Sequence, residues 1–207
     1  MNLSSGDAET LERCISVGGV ALFPADTVYG LACEPDTREA VERLYALKGR
    51  RPDKPAAVMF FDAELAFAAL PELGSRTRAL LERLLPGGIT ALLPNPLRRW
   101  PLACGPDPHT LGLRVPALGP QIGALAAMRW PVLQSSANAA GGIDAQRLDE
   151  VPETIRRDAD LVLDGGELAG TPSTVVDLRR FELDGMWAVL RQGAVPERDI
   201  ELAAADA

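Results

Sequence analysis

Four cations fall within seven residues of "LKGRRPDKP": Lys48, Arg50, Arg51 and Lys54, opposed only by Asp53. The chain around them is acidic, with 29 Asp and Glu against 21 Lys and Arg and a formal net charge of -8. Such a concentration points to a small anion rather than to a broad nucleic-acid face, which would spread basic residues over the surface. Arginine forks and lysine point charges suit phosphates, so a di- or triphosphate is the natural ligand. The competing reading is a solvated turn. No G-x-x-x-x-G-K-[ST] occurs and no G-x-G-x-x-G opens a helix, so neither a P-loop nor a dinucleotide fingerprint is present.

Arg114 raises a second question. It stands inside the apolar run "TLGLRVP", where a guanidinium is costly unless it is paired or lines a wet cavity. A carboxylate ligand and an internal Asp or Glu partner both answer that, and Arg191 in "AVLRQG" poses the same choice. "FPADTVYGL" offers Asp26, Thr27 and Tyr29 after a strand-ending proline. "QSSANAAGG" packs small hydroxyls, an amide and glycines, which suits a close backbone approach to a nucleotide or any tight turn. Covalent catalysis has no support: no Ser-His-Asp or Cys-His pattern occurs, and the one histidine, His109, sits in a proline-rich loop. Cys14, Cys33 and Cys104 are widely spaced without a C-x-x-C, so neither a structural zinc site nor a disulfide framework is expected.

These residues need elements to position them. "GDAETLERCISVGG" reads as a helix stopped by Gly18 and Gly19, then "VALFP" as a buried strand and "ADTVYGLA" as a loop. "DTREAVERLYALKG" is the clearest helix, with Asp36 and Glu39 in a capping pattern and Lys48 in its last turn. Strands follow at "AAVMFF", "ITALLP", "TLGLRVP", "PVLQSSAN", "ADLVLDGG" and "STVVDL". Helices are expected over 62–70 and 75–85, a short one at "GPQIGALAAM" and one at "PERDIELAA". "ELDGMWAVLRQG" reads as a hairpin strand after a D-G turn. In "TLGLRVP", Leu111, Leu113 and Val115 face one way and Thr110, Gly112 and Arg114 the other. The mixture of strands and helices, without repeats or linkers, predicts one α/β domain with a mixed sheet over 1–207, its core at about 7–203. No apolar run nears the roughly 20 residues a bilayer demands. The N-terminus lacks a basic region and an apolar core, so no signal peptide, no membrane partner and a cytoplasmic location are expected.

Taken together, "FPADTVYGLA", "KGRRPDK", "PGGITALL", "LGLRVP", "SSANAAGG", "STVVDL" and "LRQGAV" resemble, in order, the YrdC-like family of L-threonylcarbamoyladenylate synthases. The similarity runs from about Gly19 to Val195, and the length matches the family's short single-domain form. Lys48, Arg50 and Lys54 match the family's K-x-R-x-x-x-K spacing, with Arg51 intervening before the proline at 52. Two departures stand out: Ala25 replaces a hydroxyl in the P-T-D-T form, and Asp144 lies where a small hydroxyl is usual.

The resemblance implies a twisted mixed sheet flanked by helices, with a deep, positively lined cavity. It implies that L-threonine, bicarbonate or CO2, and ATP yield threonylcarbamoyl-AMP and pyrophosphate. A downstream threonylcarbamoyl-transfer complex would pass the group to adenosine 37 of tRNA. Carried over by position, Lys48, Arg50 and Lys54 are the expected catalytic cations. Thr27, Met59, Arg114, Gln134, Ser173 and Thr174 would meet L-threonine. Arg50, Lys54, Thr110, Ser136, Asn138, Asp144 and Arg191 would surround ATP, with Mg2+ arriving on the nucleotide and no protein metal ligand identified. A carbamoyl-adenylate-forming carbamoyltransferase module is the alternative within the same fold, and a non-catalytic RNA- or nucleotide-binding protein the alternative outside it.

Overall fold

Short apolar runs broken by glycine and proline satisfy their backbone groups most readily by pairing with one another. In the computed structural model of this protein, which describes residues 2–49, 51 and 54–207, they pair into one mixed sheet flanked by helices. The described elements run α1 Ser5–Ser16, β1 Ala21–Pro24, β2 Tyr29–Cys33, α2 Arg38–Leu47, β3 Ala57–Met59, α3 Ala63–Ala69 and α4 Ser75–Leu84. They continue as β4 Ile89–Pro94, β5 Thr110–Arg114, β6 Val132–Ser136, α5 Glu153–Asp158, β7 Leu161–Val162, β8 Thr174–Arg180, α6 Phe181–Asp184, β9 Met186–Arg191 and α7 Glu197–Ala205. The strand order is β7-β1-β2-β6-β3-β5-β4-β8-β9, with parallel pairs β1–β7, β3–β5 and β4–β8 among antiparallel ones. Among the described residues, no helix is long and apolar enough to cross a membrane.

Three sequence expectations are corrected, and one helix goes unread. The segment read as the loop "ADTVYGLA" turns over residues 25–28 and returns as β2, paired antiparallel with β1 from Ala21–Ala32 to Pro24–Tyr29. Every residue of β2 is buried, so it carries no polar alternation to betray it. The capping pattern at Asp36 and Glu39 does not form. The Asp36 amide donates to Glu34 Oε2 at 2.9 Å, which keeps Asp36 in the preceding turn, and Thr37 takes the N-cap place without a side-chain bond. The D-G before β9 ends a helical turn, α6, instead of making a two-residue hairpin; Gly185 supplies the left-handed φ of 74°. Finally, α5 escapes sequence reading because its six residues bury only Ile155, too little for a periodic signal.

The two sheet faces are covered differently. One face packs Leu22, Leu31, Val58, Leu113, Leu133 and Val176 against Leu44 and Tyr45 of α2, Phe67 of α3 and Leu80 and Leu81 of α4. On the other face, Phe23, Ala32, Met59 and Val132 lie under Leu11 and Ile15 of α1, under Leu125 of a 3-10 turn, Gly123–Ala127, and under Met128 just past it. That cover serves the β1-β2-β6-β3 side. Beyond it, Gly112, Arg114, Thr90, Leu92 and Val175 belong to neither cluster and instead floor a cavity.

Candidate active site

The cavity has a volume of about 430 Å³. The room above its floor has a plain cause: on the neighbouring strands β6, β3 and β5, Gln134, Ala57 and Gly112 stand in register, and two of those three side chains are a methyl group or nothing. A Cβ on Gly112 would already come 3.4 Å from the Ala56 carbonyl. Along β5 the floor runs from Arg114 to Thr110, four residues or roughly 13 Å of strand. Of the residues expected from sequence, Thr27, Thr110, Arg114, Gln134, Ser136, Asp144, Ser173 and Arg191 line this one cavity.

At one end, the Arg114 side chain is 4% exposed and that of Asp26 6%, joined by an ion pair of 2.7 Å. Arg114 Nη2 also donates to Thr27 Oγ1 at 3.2 Å, and Nη1 to Gln134 Oε1 at 3.4 Å. The second oxygen of Asp26 accepts from the Ala117 amide at 3.1 Å. Arg114 thus has the internal partner that its place in a strand called for, and it still faces the cavity; its Nε is buried without a hydrogen-bond partner. Burial lifts the Asp26 carboxyl above its ordinary value, an effect only partly offset by the Arg114 charge and the Ala117 amide. Burial acts on Arg114 in the opposite sense, lowering it, with Asp26 opposing and Arg191 adding to the shift.

The other end is built from the segments around Lys48 and Ser136. Lys48 lies just past α2, 3% exposed, and does not line the cavity. Its ammonium donates to the Ser136 carbonyl, to the Asn138 carbonyl at 3.0 Å and to Asn138 Oδ1 at 2.9 Å. Ser136 Oγ donates to the same Oδ1 at 2.8 Å, and Asn138 Nδ2 donates to Gly142 O at 2.7 Å and Asp144 Oδ1 at 3.0 Å. Lys48, one of the expected catalytic cations, thus braces the "SSANAAGG" loop, and Asn138 is buried in the same network. Lys54 is exposed beside the rim, where Pro55 and Ala56 line the cavity. Arg50 lies outside the described residues, as do Pro52 and Asp53.

On the third side, β8 and β9 bring Ser173 and Arg191. Arg191 Nη2 donates to the Ser173 carbonyl at 2.8 Å, and Ser173 Oγ lies 2.8 Å from Thr90 Oγ1. Two residues expected at the threonine end do not line the cavity. Met59 is fully buried under α1, and Thr174, equally buried, turns its hydroxyl to the C-terminal loop. Thr174 Oγ1 donates to Val195 O at 2.7 Å and accepts from the Gly193 and Val195 amides at 3.0 Å each. Three bonds to one buried hydroxyl make Thr174→Val costly. A loss of about 1–3 kcal/mol of unfolding free energy is expected, read as a lower urea midpoint with an unchanged slope.

Sequence reading missed Asp107 and Arg179 at the outer rim. Thr110 Oγ1 donates to Asp107 Oδ2 at 2.6 Å and accepts from Arg179 Nη1 at 3.3 Å. Arg179 follows Val175 and Asp177 at the two-residue period of β8, so the alternation held the signal. Among the described residues, no group of three or more His, Cys, Asp or Glu could hold a metal, and the cavity's carboxylates are Asp107 and Asp144.

Residues 13–193 match the Sua5/YciO/YrdC family model, whose description is telomere recombination. A threonylcarbamoyl-AMP synthase of Chromohalobacter salexigens is 37% identical over 168 residues, covering 80% of this chain and 89% of the relative. One from Pyrococcus abyssi is 29% identical over 188 residues, covering 90% of this chain, which spans only 54% of that longer relative. The crystal structure of P. abyssi Sua5 complexed with L-threonine superposes with a TM-score of 0.84 at 27% identity, covering 98% of this chain and 58% of that one. The chain belongs to the Sua5/YciO/YrdC family.

Proposed function

We propose that this protein forms threonylcarbamoyl-AMP and pyrophosphate from L-threonine, bicarbonate or CO2, and ATP. The carrying observation is one cavity with a buried guanidinium at one end and a lysine-braced Ser-Asn loop at the other. The names of the relatives support the same reading.

Arg114 and Thr27 receive the threonine carboxylate, with Gln134 beside them, and Ser173 closes that end. The threonine amine, as the free base, attacks the carbon of CO2 and loses a proton to solvent, giving the carbamate. A carbamate oxygen then attacks the α-phosphorus of ATP; the bond to the β-phosphate oxygen breaks and pyrophosphate leaves. Such a displacement needs in-line placement and neutralised charge more than a covalent nucleophile. Ser136 and Asn138, held by Lys48, together with Arg50 and Lys54, supply that environment in this reading, while Arg191, in register with Val175, stands on the Arg114 side and meets the threonine end. Thr110 and Asp144 complete the nucleotide's surroundings. Mg2+ fits as an ion carried by the phosphates and its own waters, a binding mode that demands few protein carboxylates. The product is an activated acyl donor for a tRNA-modifying transfer complex, and the protein acts in the cytoplasm.

The test is pyrophosphate release from ATP, magnesium and bicarbonate, with and without L-threonine. Release that depends on threonine supports the reading. Release that depends instead on carbamoyl phosphate would replace it with the carbamoyltransferase alternative.

A further inference from the structure

Asp26 is not a lining residue of the cavity, yet it decides the charge there. It sits behind Arg114, between the cavity and a small hollow walled by Ala117, Gln121 and Glu167. Two guanidiniums sense each other at this end of the floor: Arg191 lies close enough to oppose the charge of Arg114. Arg191 reaches the same row through Val175 of β8, which pairs with Thr90 of β4. Asp26 accepts from Arg114 and the Ala117 amide, and Thr27 Oγ1 accepts from the same Arg114 nitrogen. Glu167, across the hollow, is exposed and screened by solvent.

We infer that Asp26 is a positioning and specificity-determining residue: it fixes Arg114 and cancels one of the two cations, so that this end takes a singly charged carboxylate and rejects a phosphate dianion. With Asp26 ionised, two cations face one anion and a single positive charge is left, which one amino-acid carboxylate balances. Without it, two positive charges are left in a desolvated place, which a dianion balances better. Discrimination against the wrong ligand thus comes from a buried charge that the ligand does not touch. The inference rests on the threonine reading of this end and adds the reason that carbamoyl phosphate or free phosphate is excluded from it.

The experiment is titration calorimetry of the full chain without ATP, using L-threonine and its phosphonate analogue, (1-amino-2-hydroxypropyl)phosphonic acid. In the wild type, threonine is expected to bind at least about tenfold more tightly than the phosphonate at pH 8. In Asp26→Asn, threonine is expected to weaken about tenfold or more while the phosphonate strengthens, so that the preference inverts. In turnover, the same variant should raise the threonine KM far more than it lowers kcat, which a general loss of structure would not do. Equal binding of the two ligands by the wild type, which needs no variant to fold, would overturn the inference. So would an unchanged preference in a folded Asp26→Asn protein. Threonine that fails to bind the wild type at all, with no threonine-dependent pyrophosphate release, would instead remove the threonine reading itself.

Discussion

Arg114→Met is expected to lower threonine-dependent pyrophosphate release by about a hundredfold or more, mostly through the threonine KM. The estimate follows from removing one partner of a buried, hydrogen-bonded charge pair, which costs about 2–5 kcal/mol, where each 1.4 is tenfold. Methionine keeps much of the volume but removes the donors to Asp26, Thr27 and Gln134. The variant also leaves Asp26 buried without its cation. Its carboxyl is already held above the ordinary 3.8 by burial, and losing Arg114 raises it further. A folded-state acid of raised pKa binds its proton more tightly than the unfolded chain does, so stability falls as pH rises through that range. The variant's deficit relative to wild type is therefore expected to be smallest near pH 4 and to grow toward neutrality, as measured by urea melts across pH. A threonine KM within threefold of wild type would remove Arg114 from the substrate end.

Lys48→Met is expected to have the second largest effect, for a different reason. The lysine does not line the cavity; it braces the Ser136–Asn138 segment, of which Ser136 does. Its loss takes their lysine donor from the Ser136 and Asn138 carbonyls in a buried place and leaves Asn138 Oδ1 with only the Ser136 hydroxyl. Unsatisfied buried acceptors cost about 1–3 kcal/mol each before relaxation, so a stability loss of about 3 kcal/mol is expected. Turnover should fall with a rise in the ATP KM, while threonine binding in calorimetry stays close to wild type. A variant with normal stability and a normal ATP KM would show that the brace is not needed.

These two residues also show what the sequence could and could not reveal. Arg114 was legible because a guanidinium in an apolar strand has few physical explanations, and both of those considered apply: an internal carboxylate and a cavity wall. The identity of the carboxylate was not legible. Asp26 is 88 residues away, and it meets Arg114 only because residues 25–28 turn back into β2, a strand with no alternation to mark it. Lys48 was noticed for its charge, but charge clustering does not say which way a lysine points. Burial at the end of α2 turns it inward, onto the Ser136 and Asn138 carbonyls. Thr174 stood beside Ser173 in the same motif, yet strand alternation sends only one of the two into the cavity. The sheet itself was largely legible from its short apolar runs, β7 included within "ADLVLDGG", whereas α5 falls below the length at which periodicity speaks.

The most direct test of the account follows the atoms. The protein is incubated with ATP, magnesium, L-threonine and 13C-bicarbonate, and the nucleotide product is weighed by mass spectrometry. The account predicts a nucleotide heavier than AMP by a threonylcarbamoyl group that carries the 13C label, formed in step with pyrophosphate and absent without threonine. Pyrophosphate formed with only AMP as its partner, or a product that carries no label, would contradict it.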